Sequence, residues 1–168
     1  MARVGAAPSA RARMNSPDRS SDTPSGNSPA ARDMVRRLIG SRPTQQKRGD
    51  TAARAAAAAC DSLYRELSRW VGPDGCHALF ARALAEMRPQ HPALEKIQLR
   101  PRSEPYIESI ADSIMARGDP ETAEALESML TRLVELLGRL IGDDMAGKLI
   151  DRTFGDSEHG SDDTREEA

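Results

Sequence analysis

Asp119-Pro120-Glu121-Thr122 opens a stretch whose apolar residues recur at helical spacing until Gly142, so one long helix is written into the chain with both ends marked. Asp119 suits a cap of the free amides, Pro120 fits the first turn, Glu121 and Glu124 favour the positive end, and Gly142 suits the exit. Leu126, Met129, Leu130, Leu133, Leu136, Leu137, Leu140 and Ile141 cover more than a narrow seam. A stripe that broad needs neighbours on two sides, which predicts a bundle or a dimer. It also makes these eight residues the candidate interaction face.

The rest of the chain agrees with an all-α fold. Only Trp70, Tyr64, Tyr106, Phe80 and Phe154 are aromatic, so packing falls to Leu, Ile, Ala and Met, which favour helices over strands. Ala56, Cys60, Leu63, Leu67 and Trp70 form a core-facing seam over Thr51 to Trp70. Gly72-Pro73-Asp74-Gly75 breaks that helix, and Cys76, Leu79, Phe80, Ala83, Leu84 and Met87 restart one before Pro89. Residues 89–105 read as a Pro-rich connector in which Leu94, Ile97 and Leu99 fit a helical turn or a short extended piece. Tyr106, Ile107, Ile110, Ala111 and Ile114 mark a third helix ending at Gly118. Asp143 begins a last short one that presents Met145, Leu149, Ile150 and Phe154. No repeat at a fixed period of tens of residues is visible. The expectation is a single bundle of four to five helices over residues 51–154.

Charge is divided unevenly along the chain. Residues 1–50 carry ten basic and four acidic side chains, a net of +6, while residues 155–168 have a net of −5 and residues 51–154 a net of −3. Residues 1–32 lack periodicity and apolar content, so the N-terminal fifty residues are expected to be a mostly disordered basic arm with one short helix at 33–39, and 155–168 a disordered acidic tail. Removing residues 1–50 is then expected to leave the fold intact. Arg36, Arg37, Arg42, Lys47 and Arg48 are the densest basic cluster and the candidate nucleic-acid contacts, by non-specific attraction to phosphate. Base readout would need a basic recognition helix, and the helical region is acidic overall.

Chemistry has few candidates. Cys60 and Cys76 fall on apolar helix faces, as buried thiols do. Two cysteines and no apolar leader point to a cytoplasmic protein, and the charges of Arg132, Glu135 and Arg139 interrupt the most apolar helix, so no membrane span is expected. His77 lies beside Cys76 without a Cys-x-x-Cys or His-x-x-x-His to complete a metal shell, and His91 sits in a turn. A phosphotransfer histidine would resemble His-x-x-Lys-Gly, whereas His77 is followed by Ala78, Leu79, Phe80 and Ala81. Glu121, Glu124, Glu127 and Glu135 lie off the apolar stripe, where solvation is sufficient. Asp143 and Asp144 have an adequate role at a helix start. No phosphate loop, nucleophile elbow or zinc-protease motif occurs. A non-enzyme with no catalytic or metal residues, cofactor or small-molecule ligand is the expectation.

Two segments carry a resemblance. Gly72-Pro73-Asp74-Gly75-Cys76-His77-Ala78-Leu79-Phe80-Ala81-Arg82-Ala83-Leu84 and Leu136-Leu137-Gly138-Arg139-Leu140-Ile141-Gly142-Asp143-Asp144-Met145 resemble an uncharacterised family of small all-helical bacterial proteins over residues 60–154. Gly138 and Met145 depart from it, standing where a larger or more branched apolar residue is expected. The resemblance implies no reaction, and implies companions of bacterial signalling or regulatory proteins. The sequence thus points to a noncatalytic helical module that binds a protein partner or itself as a homodimer. The alternative is a DNA-associated transcriptional regulator using its basic arm.

Overall fold

The computed structural model describes residues 28–40 and 51–155. Six α-helices make up nearly all of it: α1 Pro29–Gly40, α2 Ala52–Val71, α3 Pro73–Met87, α4 Ile110–Arg117, α5 Asp119–Ile141 and α6 Asp143–Gly155. Between α3 and α4 lie a short 3-10 helix, Pro92–Glu95, and two two-residue strands, β1 Gln98–Leu99 and β2 Ile107–Glu108, paired antiparallel with Leu99 opposite Ile107. The all-α expectation holds, with six helices in place of four or five. Among the described residues no helix is long and apolar enough to cross a membrane. Arg42, Lys47 and Arg48, the linker, the acidic tail and the side chain of Phe154 lie outside the described residues.

The long helix sits at the centre, packed by α1, α2, α3, α4 and α6. Leu126, Met129, Leu130, Leu133, Leu136 and Leu137 are all buried in one core with Leu63, Leu67, Phe80 and Ile150. The breadth of the ladder is therefore explained by five neighbours within the same chain. Asp119 does not cap its own helix: it stands in the first turn of α5, and its carboxylate accepts from the amides of Ala52 and Ala53, both at 3.1 Å. It thus satisfies free donors at the start of α2, together with Thr51, whose hydroxyl accepts from the Arg54 amide. Helices α2 and α5 begin together, pack side by side and run in the same direction.

Several sequence boundaries shift. Helix α1 is longer than 33–39 and belongs to the core, because Ala31, Val35 and Leu38 are buried against it. The arm and the helical domain therefore do not divide at residue 50. Trp70 is 62% exposed and is not part of the α2 seam. Only Gly72 interrupts α2 and α3, since Pro73 fits the first turn of α3 and Asp74 and Gly75 are already helical. Tyr106 and Ile107 precede the third predicted helix: Ile107 is in β2, and α4 begins at Ile110 and buries only Ser113 fully. The Pro-rich connector holds both alternatives, Leu94 in the 3-10 helix and Leu99 in a strand. In α6, Ala146 and Ile150 face inward while Met145 is exposed.

The core contains a repeat that periodicity does not disclose. Gly72 and Gly142 stand 70 positions apart, each the one residue between two helices, with φ/ψ of 80°/155° and 89°/146°. Such backbone angles are close to exclusive to glycine. At the same offset, Cys60 pairs with Leu130, Leu63 with Leu133, Leu67 with Leu137, Cys76 with Ala146 and Phe80 with Ile150, all buried. The pairs α2–α3 and α5–α6 are thus two copies of one helix–glycine–helix corner. Because α2 and α5 are parallel, both corners lie at the same end of the bundle.

Candidate functional site

Large apolar side chains reach the surface at the same positions of both corners. Trp70 and Leu140 are each 62% exposed, Val71 and Ile141 are 39% and 38% exposed, and Met145 follows Gly142 at 55%. The reason is local geometry: the last turn of α2 and of α5 extends beyond the body of the core, and the glycine turns the chain before these residues meet a neighbour. The candidate face therefore divides. Leu126, Met129, Leu130, Leu133, Leu136 and Leu137 are occupied inside the chain, and only Leu140 and Ile141 remain open to a partner.

Charge around the two corners differs. In the first, Arg69 pairs with Glu66 at 3.4 Å and Asp74 with Arg102 at 3.0 Å. In the second, among the described residues, neither Arg139 nor Asp144 has an ionic partner, and both are exposed. Asp143 turns back over Gly138, where a side-chain carbon would overlap its carboxylate. A larger residue there would have to displace the end of the Asp143 side chain, while the nearest backbone atom, at 3.7 Å, lies at ordinary contact distance. The exposure of Met145 removes the need for a branched core residue there.

Arg132 and Glu135 are not idle surface charges. Arg132 bridges Glu86 of α3 and Glu135 of α5, and Glu135 also accepts from the Ser28 amide at the start of α1. Glu86 receives Arg82 as well, and the two guanidiniums, Arg82 first, hold its carboxyl below the ordinary range. Three helices are joined through this half-buried network. Arg36 and Arg37 are exposed on α1, and Arg32 and Arg36 share a recess of about 170 Å³ with Glu124 and Glu127 of α5.

The titratable groups near His77 serve packing. Its Nδ1 lies 3.0 Å from the Tyr106 hydroxyl. Tyr106 stacks on Tyr64 at 3.7 Å and meets Phe80 edge-on at 5.1 Å. Burial, and then nearby Cys76, Tyr64 and Cys60, raise the Tyr106 phenol well above its ordinary range, so it keeps its proton. Burial also raises Cys60 strongly, and pushes Cys76 up to about 11; Cys76 Sγ donates to the Tyr64 carbonyl. Neither thiol is activated as a nucleophile. His77 is half-buried, and so is His91 at the start of the 3-10 helix. Among the described residues no three of His, Cys, Asp and Glu converge as metal ligands.

No protein-family model, curated protein or solved structure matches the chain.

Proposed function

We propose that this protein is a noncatalytic helical module that works by binding another protein chain, with the two helix–glycine–helix corners as its contact surface. The observation that carries this reading is the matched exposure of Trp70 and Leu140, and of Val71 and Ile141, at one end of the bundle, whereas Met115 of α4, 87% exposed, stands apart from them. Exposed large apolar side chains grouped in this way mark association surfaces more often than they mark ordinary solvent-facing ground. Membership of the resembled bacterial family, and a place beside bacterial signalling or regulatory proteins in the cytoplasm, belong to the same proposal.

The DNA-regulator alternative draws on Arg36 and Arg37, but Arg36 shares its recess with Glu124 and Glu127, which weakens attraction to phosphate. The deciding experiment is affinity capture from the native cell with the wild-type chain and with Trp70→Glu/Leu140→Glu, each checked for retained helicity. A protein retained by the wild type and lost from the variant supports the reading. Identical captured proteins from both, or recovery of nucleic acid alone, would overturn it.

A further inference from the structure

The second corner is a strip of ordered chemistry. Its exposed residues run Arg139, Leu140, Ile141, Gly142, Asp143, Asp144 and Met145, a cation on one side of the apolar pair and acids on the other. With Asp143 folded over Gly138, the outward acid is Asp144. Reversing the strip by a two-fold rotation centred between Ile141 and Gly142 sets Arg139 opposite Asp144 of the reversed copy, with the leucine and isoleucine between them. A surface with that property is complementary to itself, which is the requirement of an isologous contact.

Resting on the reading of the protein as an interaction module, we infer that the partner at this corner is a second copy of the same chain. Leu140 and Ile141 of the two copies meet across the two-fold axis, and Arg139 of each copy pairs with Asp144 of the other. The corner around Gly72 does not offer this arrangement, because Arg69 and Asp74 already have partners in their own chain. Trp70 and Val71 stand at the same end and add apolar surface to the contact. Exposed ion pairs contribute little affinity by themselves, so the apolar residues supply the attraction and the charges set the register.

Sedimentation velocity on the full chain over a concentration series tests this. The wild type is expected to self-associate, and Leu140→Glu to be monomeric with unchanged circular dichroism. Arg139→Glu and Asp144→Arg each place like charges opposite one another, so each alone is expected to weaken association by about tenfold or more. Mixing the two single variants restores both pairs in a heterodimer, and combining them in one chain restores both pairs in a homodimer. A wild type that stays monomeric, association indifferent to Leu140→Glu, or single variants that no mixture rescues would each overturn the inference. If the chain is monomeric while capture of another protein still depends on Trp70 and Leu140, the self-association proposal fails and the interaction-module reading stands.

Discussion

Asp119 shows how one side chain can look local in sequence and act between elements. Its position before Pro120 suggests a cap for α5, yet its carboxylate closes the first turn of α2, a segment 66 and 67 residues away. Hydrogen bonds from Thr51, then from the Ala53 and Ala52 amides, hold its carboxyl below the ordinary value of 3.8. The stabilisation is complete above the ordinary carboxylate range and is lost as pH falls through the lowered value, because the protonated acid no longer favours those donors. Asp119→Ala is expected to cost about 1 kcal/mol in urea unfolding at neutral pH, the usual worth of a cap. The difference from wild type should shrink on acidification. The capping chemistry of Asp119 was legible in sequence, but its target was not, since nothing local states which helix start will fold against it. Gly138 is a similar case, since the side chain that lies over it comes from Asp143 of the next helix, which nothing local to α5 states.

At the scale of elements, helices with strong periodicity were readable and docked segments with few residues were not. Helix α5 differs from its expected span by one residue, whereas α1 fully buries only Ala31, Val35 and Leu38, with Met34 and Ile39 partly buried beside them amid arginines, so its sequence resembles a charged arm. Tertiary contact decides it: α5 presents buried ground for those three side chains, and Glu135 receives the Ser28 amide. Deleting residues 1–27 is expected to leave thermal stability unchanged. Deleting 1–40 should lower stability by on the order of 3 kcal/mol, the low end for losing two buried aliphatic side chains. Equal melting temperatures for the two truncations would show that α1 is not part of the domain. The single-glycine link recurs at Gly118 between α4 and α5, but the corner with its matched core positions occurs only twice among the described residues, too few copies to show as a period. Its sequence signal is a set of identities at one offset, Leu63 and Leu133, Leu67 and Leu137, Arg69 and Arg139, Gly72 and Gly142, Asp74 and Asp144.

For the molecule as a whole, the decisive fact is how α5 divides its apolar residues. A ladder of eight suggested a face shared with a partner; five neighbouring helices of the same chain take six of the eight, and the remainder emerge only where the helix outruns its neighbours. That division was not legible in sequence, because helical spacing reports which residues lie on one side and not how far along the helix its neighbours reach. Leu133 is 1% exposed in the core, and Leu140, seven residues later, is 62% exposed at the corner. Placing a carboxylate at the first leaves an unpaired charge buried, at a cost of several kcal/mol against a total stability of roughly 5–15 kcal/mol. Placing one at the second leaves it in water. Thermal melting of Leu133→Asp and Leu140→Glu by circular dichroism, at a dilution where the chain does not associate, tests the division most directly. Leu133→Asp is expected to lose its cooperative transition or to melt far below wild type, and Leu140→Glu to melt within a few degrees of it, as surface substitutions do. A Leu133→Asp protein with wild-type melting, or a Leu140→Glu protein that fails to fold, would contradict that division.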